Sequence, residues 1–214
     1  MIKPNVIIPA RAGSKRFPDK NLILWEYTSK FLKENSDLFN NVYVSTDSNK
    51  LSELVEKDGF CAVHRCSSLS IDELPVNPVI GDVIAQKKLY NTTICMMYLT
   101  SPERFESDFR MAIKEYSDKK LESLVSFYRP KYSPYLAKFE DNLDSLINSS
   151  AYRYQDYRNV VVLQHYVCLF EANSLWKLDN QLFNQEITKP FILDHVPVDI
   201  DYQEQLRQWL SKKR

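Results

Sequence analysis

A basic loop near the N-terminus carries the residues whose types and spacing could do chemistry. The run Pro9-Ala10-Arg11-Ala12-Gly13-Ser14-Lys15-Arg16 follows the short apolar segment Val6-Ile7-Ile8. It combines three cations with free backbone N–H groups and a glycine that can adopt positive φ, which are the parts of an anion cradle. Such cations would neutralise a triphosphate and its departing pyrophosphate, and Lys20 and Asn21 extend the set. A basic cluster alone is more often a solvated surface loop, and only the position after the first predicted strand favours function.

An acidic pair near the C-terminus offers a second kind of chemistry. Asp199 and Asp201 stand at i and i+2, so in an extended segment both carboxylates would point to one face and could share a hard cation. Mg²⁺ suits such a site, because it takes a few carboxylates together with water and phosphate oxygens. The competing interpretation is that Asp201 caps a helix predicted to begin at Tyr202.

The elements that must position these residues alternate between short apolar runs and longer amphipathic ones. Repeated β-α units predict an α/β fold, an open and mostly parallel twisted sheet with helices on both faces. Ligands of such sheets bind beyond the carboxyl ends of the strands. The predicted strands are 5–9, 41–45, 60–64, 92–98, 123–127 and 160–170, and the predicted helices are 22–34, 48–57, 77–89, 106–117, 174–181 and 202–212.

Regularity weakens after Phe127, where a proline-punctuated turn precedes a polar, tyrosine-rich stretch. We predict a single domain over residues 1–214 that contains a small irregular excursion at 129–159. A broken strand, Phe191–Leu193 with Val196–Ile200, is predicted before the last helix.

Composition and charge argue against several classes of function. The chain has 214 residues with 28 basic and 28 acidic side chains, so charge favours neither nucleic acid nor a membrane surface as a partner. The four cysteines form no CxxC pair and are expected to be reduced thiols, mostly in the core. No apolar run approaches a signal peptide or a membrane span, so we expect a cytoplasmic protein.

The basic loop fits neither common phosphate-binding motif, since the P-loop spacing and the G-x-G-x-x-G fingerprint are both absent. The string Ile8 to Arg16, closed by Pro18 and Lys20-Asn21, resembles instead the signature of the acylneuraminate cytidylyltransferase family. That family comprises the CMP-sialic acid synthetases and their pseudaminic and legionaminic acid relatives, and its fold is that of the nucleotide-diphospho-sugar transferases.

The resemblance extends over nearly the whole chain. Further segments that look like family motifs are Val44-Ser45-Thr46-Asp47, Arg65 with Asp72, Thr100-Ser101-Pro102 with Arg104, Tyr132-Ser133-Pro134-Tyr135, Gln155-Asp156 and Val198-Asp199-Ile200-Asp201. It implies attack by the anomeric hydroxyl of an α-keto acid sugar on the α-phosphate of CTP, which yields a CMP-sugar and pyrophosphate. It also implies Mg²⁺ as cofactor and a homodimer built through the excursion.

Roles follow from the resemblance position by position. Arg11, Lys15 and Lys20 would be catalytic, and Asp199 and Asp201 would hold the metal. The nucleotide would be bound by Ala10, Arg11, Ala12, Gly13, Ser14, Lys15, Asn21 and Arg65. Asn77 is added as a candidate without a family counterpart, because residues 73–78 replace the small polar residues that the family has after Asp72. The sugar would be bound by Tyr98, Thr100, Ser101, Arg104, Arg153, Gln155, Gln164 and His165.

The sugar side departs from the family pattern. Tyr98 and Leu99 replace a Gln-Pro pair, Val162 stands where the family often has arginine, and Gln164-His165-Tyr166 replaces Asn-Gly-Ala. A desolvated sugar carboxylate needs a cationic partner, for which Arg153, Arg158 or His165 could compensate. His165, taken alone, reads as a core histidine.

Two alternatives to an active CMP-sugar synthetase therefore stay open at the level of sequence. One is a catalytically impaired nucleotide-binding homologue. The other is a transferase that uses a different sugar or nucleotide.

Overall fold

A computed structural model describes residues 2–151 and 153–213. Seven strands form one sheet: β1 (Asn5–Pro9), β2 (Val42–Thr46), β3 (Cys61–His64), β4 (Thr93–Met96), β5 (Ser123–Tyr128), β6 (Val162–Glu171) and β7 (Thr188–Leu193). Five α-helices accompany them: α1 (Lys20–Glu34), α2 (Asn49–Lys57), α3 (Val76–Lys87), α4 (Glu106–Asp118) and α5 (Gln203–Lys212).

The strand order is β3-β2-β1-β4-β6-β5-β7. β6 runs antiparallel to both of its neighbours, whereas the other neighbouring pairs are parallel. The predicted mostly parallel, open α/β sheet is thereby confirmed. The chain leaves β1 toward β2 and later crosses to place β4 on the other side of β1, so the carboxyl ends of β1 and β4 flank a switch point.

Both faces of the sheet are covered, which explains the continuous apolar run in β1. Val6 and Ile8 pack into the core beneath α1, α2, α4 and α5, while Ile7 packs into a second core beneath α3. All three side chains are fully buried. Strands buried on two faces therefore place the loops that follow them at one edge with little freedom to shift.

Three differences from the predicted elements concern the second half. A six-residue 3₁₀-helix, Ala172–Lys177, replaces the predicted helix 174–181. The last strand begins at Thr188 and pairs with β5, and residues 194–202 after it contain no strand. The excursion at 129–159 holds two short 3₁₀ turns and one bridge between Lys138 and Ser145, and its Tyr152 lies outside the described residues.

Cys95 and Cys168 are buried free thiols, as expected, while Cys61 is half-buried and Cys66 is exposed. Among the helices of the described residues, none combines the length and the apolar composition needed to cross a bilayer.

Candidate active site

The basic loop begins where β1 ends, and hydrogen bonds to neighbouring elements fix its path. The Ala10 N–H donates to the Ser45 carbonyl at 2.9 Å, and the Ala12 N–H donates to Asp47 Oδ1 at 2.5 Å. Gly13 has a φ of +76°, a left-handed conformation that glycine adopts without strain. Asn21, in the first turn of α1, donates from Nδ2 to the Arg11 carbonyl at 2.8 Å and closes the loop.

Arg11 and Lys15 converge on one carboxylate. Both form ion pairs with Asp72, Lys15 at 2.5 Å, and Arg11 also donates to the Ser70 carbonyl at 3.3 Å. Lys15 and Arg11 lower the pKa of Asp72, and the same contact raises the pKa of Lys15. The loop therefore already holds an anionic group between its cations.

Lys20 makes a similar pair with a second carboxylate of the same cleft. Its Nζ lies 2.8 Å from Asp201 Oδ1, and the lysine side chain is largely buried while the carboxylate is partly exposed. Asp201 is held in place by backbone contacts around it, because the Ile200 N–H donates to the Thr100 carbonyl at 2.7 Å and the Asp201 N–H donates to Gln205 Oε1 at 2.7 Å.

These groups line one cleft of about 660 Å³ beyond the carboxyl ends of β1 and β4. Its polar lining includes four cations of the loop region and the carboxylates of Asp72 and Asp201, and Leu69, Ile71 and Leu74 form an apolar wall. A cleft of this size accommodates a nucleotide, and its cations suit the phosphates.

Arg65 forms the floor of the cleft. It is only 4% exposed, and its guanidinium donates to Ser45 Oγ at 3.1 Å and to the Ser45 carbonyl at 3.0 Å. Burial lowers its pKa. A buried arginine held this way places positive charge at the cleft without needing a mobile side chain.

The predicted nucleotide-binding residues do not all lie in this cleft. Arg11, Ser14, Lys15, Asn21 and Arg65 line it, whereas Ala12 and Gly13 line a small adjoining pocket and Ala10 is fully buried. The Asn77 side chain is not among the described residues that line the cleft. Its Nδ2 donates to the carbonyls of Leu178 and Asp179 at 3.2 and 3.1 Å. That side chain joins α3 to the loop after the 3₁₀-helix.

On the predicted sugar side, Tyr98 and Thr100 line the cleft, while Ser101 is 2% exposed. Arg104 lies in the interior and donates to Thr28 Oγ1 at 3.0 Å and to the Tyr98 carbonyl at 2.5 Å. Burial lowers its pKa to about 10. Its observed contacts position the turn from Tyr98 to Arg104.

The remaining predicted sugar residues are not among the described residues that line the cleft. His165 packs edge-on against the Tyr98 ring, with 5.7 Å between centroids, and its Nε2 lies 2.6 Å from the Gln181 carbonyl. The Gln164 carbonyl accepts from Ser126 Oγ. Arg153 pairs with Asp156 at 2.7 Å, and Gln155 is exposed in the excursion.

The two carboxylates of the predicted metal pair lie in different places. Asp201 lines the cleft, whereas Asp199 lines a separate groove with Glu103, Gln208 and Lys212. The predicted extended strand on which their common face depended is absent from the described residues 194–202. Their joint metal binding stays a prediction.

Sequence reasoning assigned no role to Asp72 or Asp47, although both were matched to family motifs. The signal available was their position after β3 and β2, where loops meet the one after β1. Their pairing with Lys15 and with the Ala12 N–H became visible only in three dimensions.

Comparison with known proteins agrees with this fold. The family model described as Cytidylyltransferase matches residues 5–208. An N-acylneuraminate cytidylyltransferase of Streptococcus agalactiae serotype V is 30% identical over 142 residues, which cover 63% of this chain and 34% of the relative. The match thus spans about a third of that relative's length.

Two further proteins are similar over nearly the full chain. A CMP-N,N'-diacetyllegionaminic acid synthase of Legionella pneumophila is 24% identical over 97% of this chain and 94% of its own. A solved structure of CMP:2-keto-3-deoxy-manno-octonic acid synthetase complexed with CTP superposes with a TM-score of 0.74 over 100% of both chains, at 15% identity. The sheet, the cation-lined cleft and the family match together show that the chain belongs to the cytidylyltransferase family.

Proposed function

We propose that this protein transfers CMP from CTP to the anomeric hydroxyl of an α-keto acid sugar and releases pyrophosphate. The observation that carries the proposal is the convergence of Arg11 and Lys15 on the Asp72 carboxylate, since groups that hold one set of anionic oxygens can hold another. Family membership supports the reaction class, and the relatives named above act in the same chemistry on acidic sugars.

In this reaction the protein's task is positioning and charge neutralisation. Arg11 and Lys15 exchange the Asp72 carboxylate for the phosphates of CTP, and Lys20, which lines the same cleft, contributes a further cation. Negative charge increases on the departing pyrophosphate as the bond to the α-phosphate breaks, so fixed cations stabilise the transition state more than the ground state. The buried Arg65 adds a charge that needs no reorganisation.

The residues present fit a magnesium ion. Asp201 presents a partly exposed carboxylate inside the cleft, and Mg²⁺ binds through one or two carboxylates together with substrate phosphates and water. Asp201 would hold the ion, with Asp199 as the predicted second carboxylate. When bound, Mg²⁺ supplies Lewis-acid stabilisation of charge at the α-phosphate.

The acceptor sugar is proposed to bind next to Tyr98 and Thr100, where the Tyr98 ring contacts His165 of β6. His165 stands behind Tyr98, and burial lowers its pKa, so at neutral pH its ring carries no charge for a sugar carboxylate. With His165 uncharged, Arg153 and Arg158 remain as the predicted partners of the sugar carboxylate.

We further propose a homodimer through the excursion at 129–159. Large apolar side chains of this segment are exposed to solvent, and a packed interface would bury them. They are Tyr132, Leu136, Phe139, Leu143 and Leu146. We also propose that the reaction takes place in the cytoplasm, as the sequence predicts.

The test is pyrophosphate release with each of the four nucleoside triphosphates, Mg²⁺ and a panel of sialic, pseudaminic, legionaminic and ketodeoxyoctulosonic acids. We expect turnover with CTP and with at least one acceptor, and mass spectrometry should detect the matching CMP-sugar. Tight CTP binding without turnover on any acceptor would favour the impaired homologue. Turnover with another nucleotide would favour a different transferase.

A further inference from the structure

A second cluster of ionisable groups lies outside the residues that line the cleft. Asp108 stands in the first turn of α4, and Asp194 and His195 follow the end of β7. The His195 ring packs edge-on against the rings of Phe105 and Tyr166, with centroids 5.0 and 5.5 Å away. Each of the three ionisable residues offers one ligand atom, and these atoms lie within 4.8 Å of one another.

Two atoms in this cluster are buried without a hydrogen-bond partner. They are Asp108 Oδ2 and His195 Nε2, which face each other at 3.7 Å. The Asp108 side chain is only 8% exposed. A separation of 3.7 Å is too long for a hydrogen bond, so neither atom satisfies the other.

The contact of the other ring nitrogen, Nδ1, with Asp194 determines whether Nε2 carries a hydrogen. Nδ1 lies 3.0 Å from Asp194 Oδ1, and a solvent-exposed, ionised carboxylate only accepts hydrogen bonds. Nδ1 therefore carries the hydrogen, and in the neutral ring the lone pair of Nε2 is directed toward another acceptor. Burial raises the pKa of Asp108, and the neighbouring Tyr166 hydroxyl offsets only part of that rise. Two acceptors that face each other in the interior are therefore stabilised by a positive species between them, either a proton or a metal ion.

We propose that Asp108 and His195 bind a divalent transition metal ion of the zinc type, with Asp194 orienting the imidazole. Imidazole nitrogen and carboxylate oxygen are common zinc ligands, and at bond lengths near 2.1 Å two tetrahedral ligands lie roughly 3.4 Å apart. The observed spacing needs only a small closure to reach this. A carboxylate that accepts the other N–H of a ligand histidine is the usual outer partner in such sites.

The Nδ1 side of the imidazole faces solvent, whereas the two proposed ligand atoms, Asp108 Oδ2 and His195 Nε2, are buried. The Asp194 side chain is 96% exposed, and that of His195 is 27% exposed. The buried side is closed by Tyr166, whose hydroxyl accepts from the Phe105 N–H at 2.7 Å.

The position of this site gives the ion a structural role. It would join the first turn of α4 to the segment that leads from β7 to Asp201, and Ile200 of that segment already bonds to Thr100 at the cleft. Binding should therefore order the segment that carries Asp201. The site shares no residue with the cleft, so its metal binding can be measured whether or not the proposed reaction takes place.

The test is titration of the metal-free full chain with Zn²⁺ in millimolar Mg²⁺, which occupies sites made only of carboxylates. We expect one bound Zn²⁺ per chain, binding lost in His195→Gln and Asp108→Asn, and affinity weakened roughly tenfold in Asp194→Asn. His64→Gln, which removes an exposed histidine on β3, is the matched control and should bind normally.

Imidazole NMR of the unmutated chain provides a readout that does not depend on the variants folding. Zn²⁺ should shift the ring resonances of one histidine out of three and leave its Nδ1–H in place. Zinc binding that survives His195→Gln, or the absence of any His195 shift with Zn²⁺, would overturn the proposal. In that case a proton, rather than a metal ion, would lie between Asp108 Oδ2 and His195 Nε2.

Discussion

Asp72 lies between Arg11 and Lys15, and its carboxylate pairs with both, at 2.5 Å in the case of Lys15. These are the two cations that the proposed reaction needs for the phosphates. In the free protein an internal anion therefore holds the phosphate-binding side chains, and CTP has to displace it.

This relationship predicts that Asp72→Asn tightens nucleotide binding. Removing the internal competitor frees Arg11 and Lys15, and because both ion pairs are partly exposed we expect the dissociation constants of CTP and pyrophosphate to fall roughly two- to tenfold. Titration calorimetry measures both. Glu73→Gln removes the neighbouring exposed charge and serves as the control, and weaker binding by Asp72→Asn would show that the carboxylate assists the ligand.

The same substitution should lower the stability of the free protein in a pH-dependent way. The pKa of Asp72 is lowered in the folded chain by Lys15 and Arg11, so its contribution is present above the pKa of an unfolded aspartate and is lost as pH falls through the folded value. Urea unfolding at pH 7 should therefore show Asp72→Asn less stable than the unmutated chain. At pH 3 or below the difference should shrink, and a gap that widened in acid would contradict this.

The two carboxylates near the C-terminus should differ in importance. Asp201 lines the cleft beside Lys20, while Asp199 lines the groove against α5. We predict that Asp201→Ala reduces kcat by at least about a hundredfold and removes the Mg²⁺ dependence, and that Asp199→Ala has the smaller effect. Equal and complete losses would mean that the segment rearranges to bring both carboxylates to one ion.

The excursion should control the oligomeric state. Leu136, 60% exposed within it, becomes buried if this segment forms the dimer interface. Leu136→Glu should then yield monomers in light scattering, because a charge would be desolvated at an apolar contact. Met111→Glu places the same charge at a similarly exposed apolar position on α4 and should leave the dimer intact. A monomer in the unmutated chain would refute the dimer itself.

The sequence was sufficient to predict the sheet and the position of the basic loop. The apolar run Val6-Ile7-Ile8 indicates a strand buried on both faces. A parallel sheet brings the loop after this strand to the edge where β4 also ends. The match to the family signature rests on the same loop. These are local patterns, and a local pattern predicts its element well when the apolar periodicity is strong.

The directions of individual side chains could not be predicted from the sequence in the same way. Arg104 was expected to contact sugar but donates inward to Thr28, and Asn77 was expected near the nucleotide but bonds to Leu178. Both partners are distant in sequence. Asp199 illustrates a third limit, since its predicted direction depended on an extended strand that the backbone does not form.

The central claim is that nucleotidyl transfer takes place at the cleft formed by the basic loop. The most direct measurement is the rate of pyrophosphate release from CTP, with Mg²⁺ and an accepted sugar, in Arg11→Gln and in Arg207→Gln, an exposed arginine on α5. We predict a loss of about a hundredfold or more in kcat for Arg11→Gln and none for Arg207→Gln. Undiminished release by a folded Arg11→Gln variant would contradict the account.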